Sequence, residues 1–279
     1  MPRITVNGVE IYYEQHGWDK PGDVLVLSNG VLMSTASWAF QKAALSRHCR
    51  LLLYDCRGMW QSEHPPGPYS MEQHADDLAA LLDALDVEAA HIGGVSYGAE
   101  ISLVFALRHP ARTRSLIVAA AVSQIDPQLR AMIDAWSAAV QAKDPELLFR
   151  VTVPVNFSED WIAANGAALE LARQRYRDLD MNAFDCLLAN FSELNITEKL
   201  HEITAPALVI VGEEDILKPR KYAEIIAREV PKSEFVIIPH AGHAVLWEQA
   251  ELFNTLILGF LAKHGSGYRV SPKDNDVPL

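Results

Sequence analysis

Short runs of β-branched residues and leucine recur at residues 24–27, 51–54, 89–95, 116–120, 208–211 and 235–238. Because apolar residues there occupy successive positions rather than alternate ones, these runs predict strands buried on both faces, the pattern of a parallel sheet. Residues 1–8 predict a further, first strand. Between the runs the apolar period lengthens to that of a helix. The clearest case follows Ser70 and Gln73, a candidate capping box, where Met71, Ala75, Leu78, Leu82 and Leu85 keep one face apolar. Strand and helix in alternation predict a doubly wound α/β sheet.

The alternation stops after Ala121 and resumes at Pro206. The residues between have helical periodicity and several aromatics but no strand-like run of comparable strength, and they are too many for a structureless loop. They predict a helical cap inserted over a functional edge of the sheet. The expected organisation is a core in two parts, residues 1–122 and 205–264, a cap at 123–204, and a loose tail at 265–279 rich in Gly, Ser, Pro and charge.

Composition narrows the function classes. With 279 residues, 49% hydrophobic and 22% charged, the chain has the make-up of an ordinary folded protein large enough for such a core and insertion. Its 24 Lys+Arg against 36 Asp+Glu give a net charge of −12, a field that repels nucleic acid and anionic lipid. No nucleic-acid partner and no membrane span are expected. Cys49, Cys56 and Cys186 are odd in number and widely spaced, which signals neither a disulfide framework nor a zinc site. Together with a start that lacks the features of an export signal, this predicts a cytoplasmic protein.

The chemistry centres on Gly94-Val95-Ser96-Tyr97-Gly98, a G-x-S-x-G element directly after a predicted strand and before a predicted helix. So tight a turn needs small flanking residues and lifts the serine hydroxyl above the sheet at a helix N-terminus. A serine becomes nucleophilic only when a base takes its proton and an acid orients that base. His243, after the last strand in Gly242-His243, is the expected base, with His240 the competing candidate. Asp215, deepest in the acidic loop Glu213-Glu214-Asp215, is the expected acid, with Asp126 a substitute after an earlier strand. The backbone N–H of Tyr97 and that of Val31, in the turn Ser28-Asn29-Gly30-Val31, are the expected oxyanion donors. Asn29 and Gly30 are then expected beside the substrate. Trp136, Phe149, Phe157, Trp161, Phe184 and Phe191 of the cap are candidate walls of an apolar acyl pocket, Trp136 and Trp161 foremost, with packing in the core as the alternative reading of aromatics at helical spacing.

These motifs together resemble the α/β-hydrolase superfamily over residues 4–263: Asp55-Cys56-Arg57-Gly58, the Ser96 elbow, the loop from Gly212 to Asp215 with Pro219 beyond, and Gly242-His243 with Glu248 five residues on. The resemblance implies an α/β-hydrolase fold, a mostly parallel sheet flanked by helices with an inserted helical cap, and a triad of Ser96, Asp215 and His243. Two positions depart from the family's habit: Asn29 stands where a histidine is usual, and Trp60 where a small residue is common. Ser28-Asn29 and Pro66-Gly67-Pro68-Tyr69 resemble 3-oxoadipate enol-lactonases, whereas Asn29-Gly30 with Ser34-Thr35-Ala36-Ser37-Trp38 resembles hydroxyacyl transferases of rhamnolipid and polyhydroxyalkanoate precursor synthesis.

The function expected first is hydrolysis of an ester, lactone or acyl thioester through an acyl-enzyme, on a small-molecule acyl substrate, with no cofactor and no metal. The alternative is transfer of a 3-hydroxyacyl group from a carrier-protein or coenzyme A thioester to an alcohol. Such transfer would need a basic docking patch, for which Arg173, Arg175 and Arg177 are candidates, although helical spacing predicts that they spread into solvent. A non-catalytic receptor on the same fold is a third, weaker reading, and assembly as a homodimer stays open.

Overall fold

The computed structural model describes residues 2–265 and contains one eight-stranded sheet. Its strands are β1 (Arg3–Val6), β2 (Val9–His16), β3 (Val24–Ser28), β4 (Arg50–Tyr54), β5 (Ala90–Val95), β6 (Thr113–Ala119), β7 (Ala207–Gly212) and β8 (Ser233–Ile238), in the order β1-β2-β4-β3-β5-β6-β7-β8. From β4 to β8 every pairing is parallel, while β2 runs antiparallel to both β1 and β4. The six apolar runs all become strands of the parallel part. β2 was not predicted, because its polar residues dilute the apolar signal. A local cue was present: Asn7-Gly8, both at positive φ, forms the tight hairpin that turns β1 into β2.

Successive residues of the central strands serve opposite faces. Val24 and Val26 pack into one core and Leu25 and Leu27 into the other. Helices α1 (Ala39–Leu45), α2 (Met71–Ala84) and α3 (Tyr97–Arg108) lie within the first half of the chain. The predicted start of α2 is realised, with Ser70 accepting a hydrogen bond from the Gln73 backbone N–H at 3.0 Å.

Between β6 and β7 the chain forms α4 (Pro127–Gln141), α5 (Pro145–Asn156), α6 (Glu159–Ala164), α7 (Gly166–Arg175) and α8 (Met181–Ser192). A single β-bridge, Gln124 to Asn195, closes the base of this helical insertion. The remaining helices are α9 (Arg220–Glu229), α10 (Val245–Glu248) and α11 (Ala250–His264). Apart from Gly265, the predicted tail lies outside the described residues. Among the described residues no helix is long and apolar enough to cross a membrane.

Candidate active site

Ser96 sits between β5 and α3 with φ 55° and ψ −124°, backbone angles that L side chains rarely adopt. The turn is held by Ser96 N–H donating to Ala119 O at 2.9 Å and by the Ala99 N–H donating to Ser96 O at 2.8 Å. Glycine is required on both sides: a Cβ on Gly94 would collide with the backbone of Gly98, and one on Gly98 with the carbonyl of Ser28. Strain confined to one residue in an otherwise regular strand and helix is how such a turn projects a hydroxyl from the sheet edge.

Asp215 leaves the end of β7 and His243 the loop after β8, neighbouring parallel strands whose carboxyl ends coincide. His243 Nδ1 lies 2.9 Å from Asp215 Oδ2, and the other carboxylate oxygen accepts the Lys218 backbone N–H at 2.8 Å. Both side chains are buried, so the carboxylate fixes the ring and leaves Nε2 as the nitrogen it does not engage. Among the described residues that Nε2 is buried without a hydrogen-bond partner. The competing residues are placed elsewhere. His240 is exposed, Glu213 and Glu214 face solvent, and Asp126 caps α4 through Leu129 N–H at 2.9 Å.

The turn after β3 approaches Ser96 from the other side. A Cβ on Gly30 would stand 3.5 Å from Ser96 Cβ and 3.0 Å from Met33 Sδ, so glycine permits the close approach. Asn29 is fully engaged below it, donating to Asp55 Oδ1 at 2.8 Å and accepting from Trp38 Nε1 at 2.7 Å. Its side chain therefore braces the turn. Asp55 also accepts Thr35 N–H at 2.8 Å and Gln61 N–H at 3.2 Å, yet burial pushes its carboxyl up to about 6. Among the described residues the backbone N–H groups of Val31 and Tyr97 have no acceptor, as donors kept for an oxyanion require.

Two pockets meet at Ser96. One is lined by Gly30, Val31, Ser96, Trp136, Phe157 and His243 among others. The second runs under the cap and is lined by Ser96, Tyr97, Trp136, Phe191 and Lys218 among others. Trp136 borders both. Trp161 lines neither and stacks on Phe157 with ring centroids 4.2 Å apart. Glu248 ties cap and core together here, accepting the Gly242 N–H at 3.0 Å and the Ser158 N–H at 3.1 Å. Arg175 is not spread into solvent as its helical spacing predicts: it donates to Ser34 Oγ at 2.9 Å and lies 4.3 Å over the Trp60 ring. Arg173 pairs with Glu170 and Glu146.

Two features are not predicted by the sequence patterns. Lys218 and Glu100 form a buried ion pair, Nζ to Oε1 at 2.8 Å and to Oε2 at 3.0 Å, and Lys218 Nζ also donates to Ser96 Oγ at 3.2 Å. The signal was Glu100 itself, a carboxylate within a helix apolar all round, which must find a buried cation. The second feature supports Tyr97, whose hydroxyl lies 2.9 Å from His74 Nε2 and accepts from Asn190 Nδ2 at 2.6 Å.

Burial, with Arg57 nearby, pulls His74 down to about 3. The unfolded chain therefore binds a proton near pH 6.5 that the folded chain refuses, so stability is complete above that pH and lost as pH falls toward 3. From pH 6.5 to 5 this one group should remove about 2 kcal/mol. Asp55, whose carboxyl is pushed up to about 6, acts in the opposite sense over the same range, so the check is a difference: in urea melts at both pH values the wild type is expected to lose about 2 kcal/mol more than His74→Gln, which can still bond Tyr97. An unchanged pH slope in the variant would show that His74 does not carry the effect.

A family model described as the alpha/beta hydrolase fold matches residues 23–250 of this chain. A protein of Caulobacter segnis that bears the name carbamate hydrolase RutD is 31% identical over 267 residues, covering 94% of this chain and 99% of that protein. Of solved structures, MGS-M2, an alpha/beta hydrolase enzyme from a Medee basin deep-sea metagenome library, superposes with a TM-score of 0.89 at 29% identity, over 93% of this chain and 97% of its own. The enol-lactonase of Burkholderia xenovorans gives a TM-score of 0.88 at 27% identity, over 93% of this chain and 99% of its own.

Proposed function

This chain belongs to the α/β-hydrolase family, and from that premise we propose that it is a serine hydrolase cleaving an ester, lactone or acyl thioester through an acyl-enzyme on Ser96. The observation that carries this reading is the strained Ser96 sharing a pocket with His243, whose Nδ1 is held by Asp215. In the first half-reaction Ser96 Oγ bonds to the acyl carbon while its proton passes to His243 Nε2. The developing oxyanion lies against the N–H groups of Val31 and Tyr97. The leaving oxygen or sulfur then takes the proton from Nε2 as its bond to the acyl carbon breaks.

Water, deprotonated by the same nitrogen, releases the acid in the second half. Acyl transfer would share the first half and replace water by an alcohol. Hydrolysis is preferred because the relatives are named as a carbamate hydrolase and an enol-lactonase, and because Arg173 and Arg175 are held by cap and core rather than offered as a docking patch.

Intact-protein mass spectrometry during turnover of p-nitrophenyl esters, lactones and acyl thioesters is expected to show one acyl increment, mapped to Ser96. Turnover without any adduct on Ser96, or an adduct that persists in Ser96→Ala, would overturn the reading.

A further inference from the structure

Among the described residues lining the pocket beneath the cap, one side chain is charged, in a largely apolar wall. Leu129, Ile133, Trp136, Leu188, Phe191 and Leu217 surround Lys218, whose ammonium lies 4.6 Å over the Phe191 ring. Lys218 is 2% exposed and Glu100 0%, so neither charge is answered by bulk water. The Glu100 carboxylate accepts two hydrogen bonds from Lys218 and, at 2.8 Å, one from the Val122 backbone N–H, a set of donors that suits the ionised acid. An ammonium has three protons and no lone pair. Lys218 therefore cannot serve as a base toward Ser96; it can only donate. Two of its N–H groups are taken by Glu100, and the third points at Ser96 Oγ.

That third hydrogen bond competes with catalysis. The reaction needs Ser96 Oγ beside His243 Nε2, yet among the described residues this nitrogen has no partner while Oγ is bonded to Lys218. An acceptor on the substrate that takes over the third N–H would free Oγ for the base. Geometry limits where that acceptor lies. The acyl carbon must come within about 3–3.5 Å of Oγ, Nζ is 3.2 Å from Oγ, and an N–H···O contact spans about 2.9 Å. These distances admit an acceptor on the carbon next to the acyl carbonyl or on the one beyond. Charge limits what it is. Lys218 and Glu100 already sum to zero, so a second carboxylate would leave a net negative charge in an apolar pocket. A keto, hydroxyl or ether oxygen adds none.

We infer that Lys218 is the specificity-determining residue of this site and selects acyl groups bearing a neutral oxygen on the α or β carbon, whose binding releases Ser96 to His243. The inference rests on the serine-hydrolase reading and names its substrate class.

The test compares kcat/KM for ethyl butanoate, ethyl 2-hydroxybutanoate, ethyl 3-hydroxybutanoate, ethyl 3-oxobutanoate and monoethyl succinate in the full-length enzyme. At least one neutral oxygenated ester is expected to exceed ethyl butanoate by on the order of 10–100-fold, the range for a hydrogen bond to a charged donor, with monoethyl succinate the poorest. Lys218→Met is expected to bring the ratio close to one. Because that change leaves Glu100 buried without its cation, Lys218→Met/Glu100→Gln is measured beside it, with glutamine still accepting the Val122 N–H.

A wild-type ratio near one, or preference for the carboxylate ester, overturns the inference even if neither variant folds. So does an unchanged ratio in a folded variant, including a uniform loss on every ester, which would assign Lys218 to the oxyanion instead. Absence of any Ser96 acyl adduct would strike the hydrolase reading, and that outcome is distinguishable from all of these.

Discussion

Ser96→Ala is expected to lower kcat by on the order of 10³ or more while leaving the fold intact. In the proposed mechanism the hydroxyl forms the covalent bond to the acyl carbon, and without it only binding and the two proposed oxyanion donors remain. Folding should survive because alanine retains the Cβ and meets the same φ of 55° that Ser96 already tolerates. Alanine cannot accept the 3.2 Å hydrogen bond from Lys218, so a small drop in melting temperature is expected, consistent with about 1–3 kcal/mol for an orphaned buried donor. The measurements are kcat on a p-nitrophenyl ester and a circular dichroism melt. Near-native turnover in a pure, folded variant would remove the mechanism.

The second large effect separates two histidines three residues apart. His243→Ala should cost turnover about as much as Ser96→Ala, because members of one catalytic unit are not additive and a serine without its base is a weak nucleophile. His240→Ala should change kcat little. His240 is exposed and at φ 53°, and the loop holds it through its backbone, with its N–H on Glu213 Oε2 at 3.4 Å and its carbonyl accepting from Gln249 at 3.2 Å. Alanine tolerates that φ less well than histidine, so a modest loss of stability is expected. The double variant Ser96→Ala/His243→Ala should be no slower than either single one. A reversed ranking of the two histidines in kcat would show the base assignment to be mistaken.

Much of the protein was legible in one dimension because its signals are local. Runs such as Val24 to Leu27 can be apolar at every position only where both faces are covered, and that alone predicts a parallel sheet under helices. The spacing of small residues around Ser96 is likewise a local property, since a turn that tight excludes any Cβ at Gly94 and Gly98. Asp215 and His243 could be placed at the ends of predicted strands because parallel strands bring their carboxyl ends to one edge whatever lies between them. β2 was missed because its alternating polar positions reflect a strand near the sheet margin, half open to solvent.

What only the tertiary structure decided is which side chains meet across the fold. Glu100 and Lys218 are 118 residues apart, and neither announces the other in sequence; a buried carboxylate requires a cation, but chain topology chooses which one. The same holds for Asn29, whose amide the sequence assigns to the substrate and the structure turns to Asp55 and Trp38. It holds also for Trp136 and Trp161, equivalent as cap aromatics, of which packing brings one to Ser96 and stacks the other on Phe157. Periodicity and turn chemistry are set by neighbours a few residues away, so the sequence by itself determined most of the elements and the tight turn that carries Ser96. Contacts between distant segments depend on how helices settle on a sheet, so the residues that surround that serine were decided in three dimensions.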